Sequence, residues 1–206
     1  MYVKFTIIVS IVVLFSLLPA VTTSLTGQSS KAQTDLVKTY NDTQGRFMVQ
    51  YPTTWEIAPK NSSFPYYGVD TAIVFKPVDE TSSPLENTLF SITPVGGANS
   101  LDGTSLKVTP DSLNRIVSDQ IEFMQDPSSM YGNLNVEILQ NNSTTVNGLP
   151  AKELTYLIHG IGSFEMQTFV INDDKLYQLI FQTPEIKVPY TLPAAQQMID
   201  TLKFTS

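Results

Sequence analysis

The chain contains no cysteine and only one histidine among its 206 residues. Without cysteine it can form no disulfide and offers no thiol nucleophile or thiolate metal site. The absence of cysteine also excludes a bacterial lipobox, so any membrane anchor is peptide rather than lipid. Charged residues make up only 15% of the chain and hydrophobic residues 42%. This balance argues against a disordered chain.

Basic residues are also scarce: 12 Lys and Arg stand against 19 Asp and Glu. The formal net charge is therefore −7, and the pI is about 4.6. This sign opposes phosphate backbones and anionic membrane surfaces. No basic run or aromatic RNA-binding motif reverses it, so nucleic acid is not expected as a partner. A chain of this length suits one domain with a full hydrophobic core.

One long apolar run is present, and it lies at the N-terminus, where FTIIVSIVVLFSLL follows Lys4. A helix over Phe5–Val21 would be about 25 Å long, short for a hydrocarbon core of about 30 Å. This length favours a secretory signal peptide, and an uncleaved N-terminal membrane anchor is the alternative. Residues 1–24 therefore predict an extracytoplasmic protein, either secreted or membrane-anchored and facing outside. Their removal takes away the charge of Lys4 and leaves −8.

Residues 25–39 are polar and lack sustained periodicity, which predicts a linker between this segment and a domain over residues 40–206. Four N-x-S/T sequons are candidate glycosylation sites: Asn41, Asn61, Asn141 and Asn142. In an exported chain they would mark exposed loops. Chance is an equal explanation, because the chain is rich in Asn, Ser and Thr.

The first half of the domain predicts short strands. RFMVQY follows the turn residues Asn41, Asp42 and Gly45, and Pro52 ends that strand because it has no N–H to donate. Further strands are predicted at AIVFK and TLFSIT. A helix follows, with Thr109 as N-cap, Pro110 in its first turn and Asp126-Pro127 as its end.

The second half predicts an antiparallel meander. Asn147-Gly148 is a strong hairpin signal, and AKELTYLIH returns with Leu154, Tyr156 and Ile158 on one face. HGIG and NDDK turn the chain into two further strands. The segment LPAAQQMIDTLKF closes the chain as a second helix. The order predicts an α+β fold in which an antiparallel sheet is flanked by helices.

Four segments together resemble the PsbP-like family: YNDTQGRFMVQYPTTWEI, VNGLPAKELTY, KLYQLIFQT and MIDTLKF. That family is typified by the extrinsic lumenal subunit of the photosystem II oxygen-evolving complex. The resemblance covers Tyr40–Phe204 and rests on motifs that mark the fold rather than catalysis. It implies an α/β/α sandwich and an exported accessory protein without enzymatic activity. No thylakoid transit region is visible, so a photosystem role is not preferred.

Trp55, the only tryptophan, follows the strand that Pro52 ends. It is either a surface platform for a ligand or a wedge that closes the core. The wedge is the favoured prediction, because the indole can fold back over the apolar face that Phe47, Val49 and Tyr51 begin.

His159, the only histidine, is predicted to lie exposed beside a turn. A Ser-His-Asp site would need it as the base, but no G-x-S-x-G elbow exists, and the nearness of Ser163 in sequence does not make one. Some PsbP-family members are linked to metal binding through histidine and carboxylates. One histidine offers little for such a site, so no cofactor, metal site or catalytic residue is predicted.

The carboxylates of the meander are the remaining candidates for metal ligands. If Glu137, Glu153 and Glu165 align in register, they form an acidic patch able to attract Ca²⁺ or Mn²⁺. A solvated sheet face is the favoured alternative. Asp173-Asp174 are explained by the turn they occupy.

Two loops complete the search. Gly96-Gly97 lacks the spacing of a phosphate-binding loop. Phe64, Tyr66 and Tyr67 are candidate partner contacts, because exposed aromatics are typical of interfaces; packing on the chain's own core is the alternative.

The sequence thus favours a non-enzymatic, exported accessory module that docks on a membrane or cell-surface complex. An extracellular protein that binds a small molecule or a Ca or Mn ion is the alternative. A hydrolase has no support beyond scattered Ser and Asp.

Overall fold

The computed structural model describes residues 36–59, 71–80, 87–95 and 109–205. Its strands are β1 Leu36–Asn41, β2 Phe47–Pro52, β3 Trp55–Ile57, β4 Ile73–Pro77, β5 Leu89–Val95, β6 Val136–Val146, β7 Leu149–Ile158, β8 Ser163–Asn172, β9 Lys175–Pro184 and β10 Lys203–Phe204. The helices are α1 Pro110–Gln125 and α2 Val188–Thr201, and a 3₁₀ turn over Glu185–Lys187 leads into α2.

The strands form two antiparallel sheets. The larger has seven strands in the order β3-β4-β5-β9-β8-β7-β6, and the smaller has three in the order β1-β2-β10. Successive strands from β6 to β9 are neighbours joined by tight turns, as the meander predicted. The predicted α+β fold, an antiparallel sheet flanked by helices, is confirmed.

Helix α1 packs on one face of the large sheet, over β6, β7 and β8. Its N-cap is Thr109, whose backbone N–H donates to Ser112 Oγ at 3.1 Å, and it ends before Asp126, as predicted. Its buried side chains pack on alternate residues of β7, which the sequence had placed on one face. This cluster contains Leu113, Val117, Met124, Leu154, Tyr156 and Ile158.

The opposite face of the large sheet packs against both α2 and the small sheet. The shared core contains Phe47 and Val49 from β2, Met198 from α2, and Leu179 and Phe181 from β9. Trp55 belongs to the same core and is 4% exposed, so the prediction that it closes the core is confirmed. Burial of an indole contributes on the order of 3–5 kcal/mol when measured by truncation.

The hairpin between β6 and β7 turns at the predicted dipeptide. Asn147 has φ 51° and Gly148 has φ 79°, the two left-handed conformations that a type I′ turn requires. Asp173 and Asp174 have φ 48° and 58° in the β8–β9 turn, so turn geometry explains this acidic pair.

Three boundaries differ from the sequence prediction. Strand β1 begins at Leu36, inside the segment 25–39 predicted as linker, because it pairs with β2 over the register Leu36↔Pro52 to Asn41↔Met48. Helix α2 begins at Val188 rather than Leu192, with Pro189 in its first turn, where a missing N–H costs nothing. The end of the predicted second helix is strand β10, which pairs with β2. Within the described residues, no helix combines the length and apolarity needed to cross a bilayer.

Candidate functional site

The three carboxylates predicted as a possible acidic patch do not converge. Glu165 lies opposite Tyr156 on the α1 face of the sheet, whereas Glu153 lies opposite Thr168 on the other face. The register of β7 and β8 therefore places Glu153 and Glu165 on opposite faces of the sheet, because an odd-numbered residue of β7 pairs with an even-numbered residue of β8. No three His, Asp or Glu side chains within the described part of the chain come together as metal ligands. These residues therefore do not form the conditional patch, and the favoured alternative, a solvated sheet face, is wrong for Glu165, which is 7% exposed.

Glu137 instead pairs with the sole histidine. His159 Nε2 lies 2.8 Å from Glu137 Oε2, and their side chains are 39% and 57% exposed. The prediction of an exposed turn histidine is confirmed. Ser163 is fully buried, and its Oγ has no hydrogen-bond partner, so it is not bonded to His159.

Some sequence candidates lie outside the described residues: residues 1–24, Asn61, Phe64, Tyr66, Tyr67 and the Gly96-Gly97 pair. The other three sequon asparagines are exposed, but they lie in strands rather than loops. Asn41 is the last residue of β1, and Asn141 and Asn142 lie in the middle of β6.

A buried polar cluster lies on the α1 face of the large sheet. Tyr156 donates its hydroxyl hydrogen to Glu165 Oε2, and Gln167 Nε2 donates to Tyr156 Oη at 2.6 Å. Gln178 Nε2 continues the chain by donating to Gln167 Oε1 at 3.1 Å. Gln182 of β9 lies opposite Glu165, and its buried Oε1 has no hydrogen-bond partner. The cluster therefore combines a buried carboxyl with an unsatisfied acceptor.

Burial controls the electrostatics of this cluster. It raises the pKa of Glu165, although the hydrogen bonds from Tyr156 and Gln167 act in the opposite direction. Burial and the nearby Glu165 also raise the pKa of the Tyr156 hydroxyl, which stays protonated. Sequence reasoning missed this cluster because Glu165 and Gln167 alternate with Phe164 and Met166, a pattern that is typical of a solvated face.

An exposed apolar corner lies where β9 passes into α2. We define this corner by Pro184, Glu185, Ile186, Pro189 and Tyr190. Ile186 is 81% exposed and Tyr190 is 82% exposed. A depression of about 490 Å³ beside them is lined by Gly162, Pro184, Glu185, Ile186 and Pro189.

Hydrogen bonds and an ion pair fix the base of the corner. The Glu185 backbone N–H donates to Gly162 O at 2.9 Å, and Lys187 Nζ lies 2.8 Å from Glu80 Oε1. Glu80 is itself held by the Thr88 backbone N–H, which donates to Glu80 Oε2 at 2.7 Å. The exposed side chains therefore project from a fixed turn. The signal that could have found them is the spacing of Ile186 and Tyr190 around Pro189, at a helix start.

Comparisons with known proteins agree with this fold. The family model described as PsbP matches residues 35–204. The chain is similar to the solution structure of cyanobacterial PsbP from Synechocystis sp. PCC 6803, with 16% identity and a TM-score of 0.52, covering 82% of this chain and 93% of that chain. The comparison with curated proteins found no match.

A second solved structure, from Bacteroides thetaiotaomicron VPI-5482, is similar with 11% identity and a TM-score of 0.53. The match covers 84% of this chain and 50% of that one, so the present chain spans about half of that protein. At these identities the two solved structures support the fold alone.

Proposed function

The chain belongs to the PsbP family, and from that membership we propose that it is an exported, non-enzymatic accessory module that docks on a protein complex of a membrane or cell surface. The observation that carries the docking role is the apolar corner, where Ile186 and Tyr190 project almost fully into solvent. Large apolar and aromatic side chains of this kind are typical anchors in the centre of protein interfaces.

The fixed geometry of the corner supports docking. Lys187 is tied to Glu80, and Thr191 Oγ1 donates to the Lys187 carbonyl at 2.9 Å. A side chain presented from a turn that is already ordered loses less conformational entropy on binding. The corner can therefore contribute affinity although it is small.

The charge of the chain indicates the chemistry of the partner. The whole protein carries −7, and Glu185 is exposed at the edge of the depression. The complementary surface would be an apolar cleft that receives Ile186 and Tyr190 and has a basic side chain at its rim.

The site chemistry also supports a non-enzymatic role. Nucleophilic catalysis needs a nucleophile within hydrogen-bond reach of its base. In the described residues, His159 is bonded to Glu137, and the Ser163 hydroxyl is buried away from it.

The docking role is tested by the double substitution Ile186→Ser and Tyr190→Ser. We expect crosslinked capture from membranes of the protein's own organism, quantified by mass spectrometry, to lose its stoichiometric partner by about tenfold or more. Both side chains are already exposed, so the melting temperature should move by no more than about 2 °C.

Met130→Ser is the matched control, because Met130 is 76% exposed and lies outside the corner. It should capture the partner as the wild type does. Undiminished capture by the corner variant would reject the corner as the docking site. A wild-type protein without any stoichiometric partner would reject the docking role itself.

Export is part of the proposal and rests on residues 1–24. The intact mass of the protein, isolated from the membranes or the culture medium of its own organism, distinguishes a cleaved signal peptide from an uncleaved anchor. A mass without these residues indicates a cleaved signal peptide, and the full mass in the membrane fraction indicates an anchor. Recovery of the full-length protein from the cytoplasm would contradict export.

The alternative function, binding of a small molecule or of Ca or Mn ions outside the cell, is favoured by one observation. The unpartnered Oε1 of Gln182 beside buried Glu165 is an acceptor that a ligand's donor could satisfy. A thermal-melting screen with metabolites and with millimolar Ca²⁺ and Mn²⁺ tests it. A rise in melting temperature that Gln182→Leu abolishes would support this function, and no shift would oppose it.

A further inference from the structure

Strand β6 forms one edge of the seven-stranded sheet. It pairs with β7 from Val136↔Ile158 to Val146↔Leu149, and in the part of the chain that the structure describes no strand pairs with its other side. Every residue from Leu139 to Thr145 is exposed. Unpaired backbone N–H and C=O groups along such an edge are a template for another strand.

This edge lacks most of the features that usually prevent strand pairing. Residues 136–146 contain no Lys, Arg or Pro, and their one charged side chain, Glu137, is paired with His159. A bulge interrupts the register between Ile138 and Gln140, and from Gln140 to Val146 the ladder is regular. The accessible edge is therefore the segment 140–145, which we call the free edge.

The other outer strands are shorter. Strand β3 has three residues and β10 has two, too few for a stable additional ladder. Strand β1 has six residues with its own irregularity near Leu36, and it carries Lys38, whose Nζ donates to the carbonyls of Thr53 and Trp55 at 2.9 Å each. Only β6, among the described strands, combines length, exposure and lack of charge.

We propose that the free edge of β6 is a dimer interface at which a second copy of this chain adds antiparallel, so that one sheet continues across both copies. Two acidic copies repel each other over most of their surfaces, whereas residues 138–146 carry no charged side chain. This neutral stretch is where they can approach.

The side chains of the free edge are complementary to themselves. The segment reads Gln-Asn-Asn-Ser-Thr-Thr, in which every side chain has an amide or hydroxyl group. An antiparallel two-fold axis at Asn142 places Gln140 opposite the partner's Thr144 and Asn141 opposite the partner's Ser143. Such cross-strand pairs form hydrogen bonds and stabilise a ladder. A basic foreign strand would find no opposite charge here, which favours the second copy.

This dimer leaves the apolar corner free, because β7 and β8 separate β6 from β9 in the sheet. It does not depend on the docking proposal. A glycan on Asn141 or Asn142 would cover the free edge, so glycosylation there and pairing exclude each other.

The experiment uses residues 25–206, made in a host that does not glycosylate. Sedimentation measures the molar mass of this protein at concentrations from 1 to about 200 µM. We expect a concentration-dependent dimer. The double substitution Asn142→Lys and Ser143→Lys should give monomer at all these concentrations, because like charges then lie directly opposite each other at position 142 and diagonally at position 143.

Three further measurements keep the test independent of folding. A variant with both Asn142→Glu and Ser143→Glu should also be monomeric by itself. Mixed with the lysine variant it should form a heterodimer, because opposite charges then face each other across the interface. The exposed residues Ser128 and Thr53 provide the matched control: Thr53→Lys with Ser128→Lys should dimerise as the wild type does. The backbone amides of residues 140–145 that point away from β7, about every second one, should gain protection from hydrogen exchange on dimerisation.

Three results would overturn the proposal. They are a monomeric wild type over the whole range, a lysine variant that still dimerises, or a glycan on Asn141 or Asn142 in protein purified from its own organism. A glycan at either asparagine would mean that a sugar covers the free edge and that no second strand pairs there.

Discussion

Single buried polar residues set the electrostatic character of this domain. Glu165 is enclosed by the hydroxyl of Tyr156 and the amide of Gln167 under helix α1. Asp42, by contrast, accepts from Arg46 Nε at 2.6 Å and from Arg46 Nη2 at 2.8 Å. Burial alone would raise the pKa of Asp42, but the hydrogen bonds and charge of Arg46 outweigh it and lower that pKa. The Asp42 carboxyl is therefore stabilised as an anion, whereas the Glu165 carboxyl is not.

The first prediction concerns Glu165→Gln. The raised pKa means that the folded state binds the Glu165 proton more tightly than the unfolded state does. Its contribution to stability is complete below the unfolded pKa of about 4.3, and it declines as pH rises towards the folded pKa. We expect the variant to be more stable than wild type at pH 7.5, by roughly 1–3 kcal/mol.

Urea unfolding between pH 4 and 8 checks this prediction. The fall in unfolding free energy with rising pH should be shallower for the variant. Burial also raises the pKa of Glu153, which gives part of the same slope in both proteins. Glu185→Gln, an exposed site, serves as control. Parallel pH curves for wild type and Glu165→Gln would contradict the assignment.

Turns and strand ends position the elements around the sheet. After α1 the chain makes a compact turn in which Ser129 N–H donates to Asp126 O at 3.0 Å and Gly132 N–H donates to Ser129 O at 3.1 Å. The turn brings Tyr131 edge-on to Phe123, with ring centroids 5.9 Å apart. This turn sets where α1 ends and where the chain turns back towards β6.

The second prediction concerns Gly132→Ala. A Cβ at this position would lie 2.2 Å from the carbonyl oxygen of Pro127, which is backbone and cannot move without opening the turn. We expect a loss of about 1–3 kcal/mol in unfolding free energy. Chemical denaturation measures it, with Asn133→Ala at the neighbouring exposed position as the control. A variant as stable as that control would show that the turn can relax.

At the scale of the whole molecule, one sheet supports two different layers. On one face, Leu154, Tyr156 and Ile158 of β7 pack against α1, and the other face packs against α2 and the small sheet. The small sheet joins distant parts of the chain, because β2 pairs both with β1 and with C-terminal β10. The N-terminal and C-terminal ends of the domain therefore stabilise the same layer.

The third prediction tests where this domain begins. A chain that starts at Asp35 keeps all of β1, whereas one that starts at Tyr40 loses the Lys38 hydrogen bonds to Thr53 and Trp55. We expect the shorter chain to be less stable by about 2 kcal/mol or more. Thermal and urea unfolding of the two chains decide this. Equal stability of the two chains would mean that the domain begins at Tyr40, as the sequence predicted.

The local patterns were sufficient for much of the fold. The hairpin at Asn147-Gly148 and the helix from Pro110 to Gln125 follow from turn and capping chemistry, which acts within a few residues. The candidate sites were less predictable. His159 was correctly placed in an exposed turn, but its partner Glu137 is 22 residues away in sequence and becomes a neighbour only when β6 and β7 pair.

The sequence by itself determined the acidic charge, the absence of thiol chemistry, the α+β class and the resemblance to the family. These depend on composition and on local spacing. The tertiary structure decided that Glu165 is buried, that β1 and β10 join β2, and that Ile186 and Tyr190 remain in solvent. Strand register and layer packing bring residues together across long sequence separations, and a period-two pattern cannot tell which face of a strand a second layer will cover.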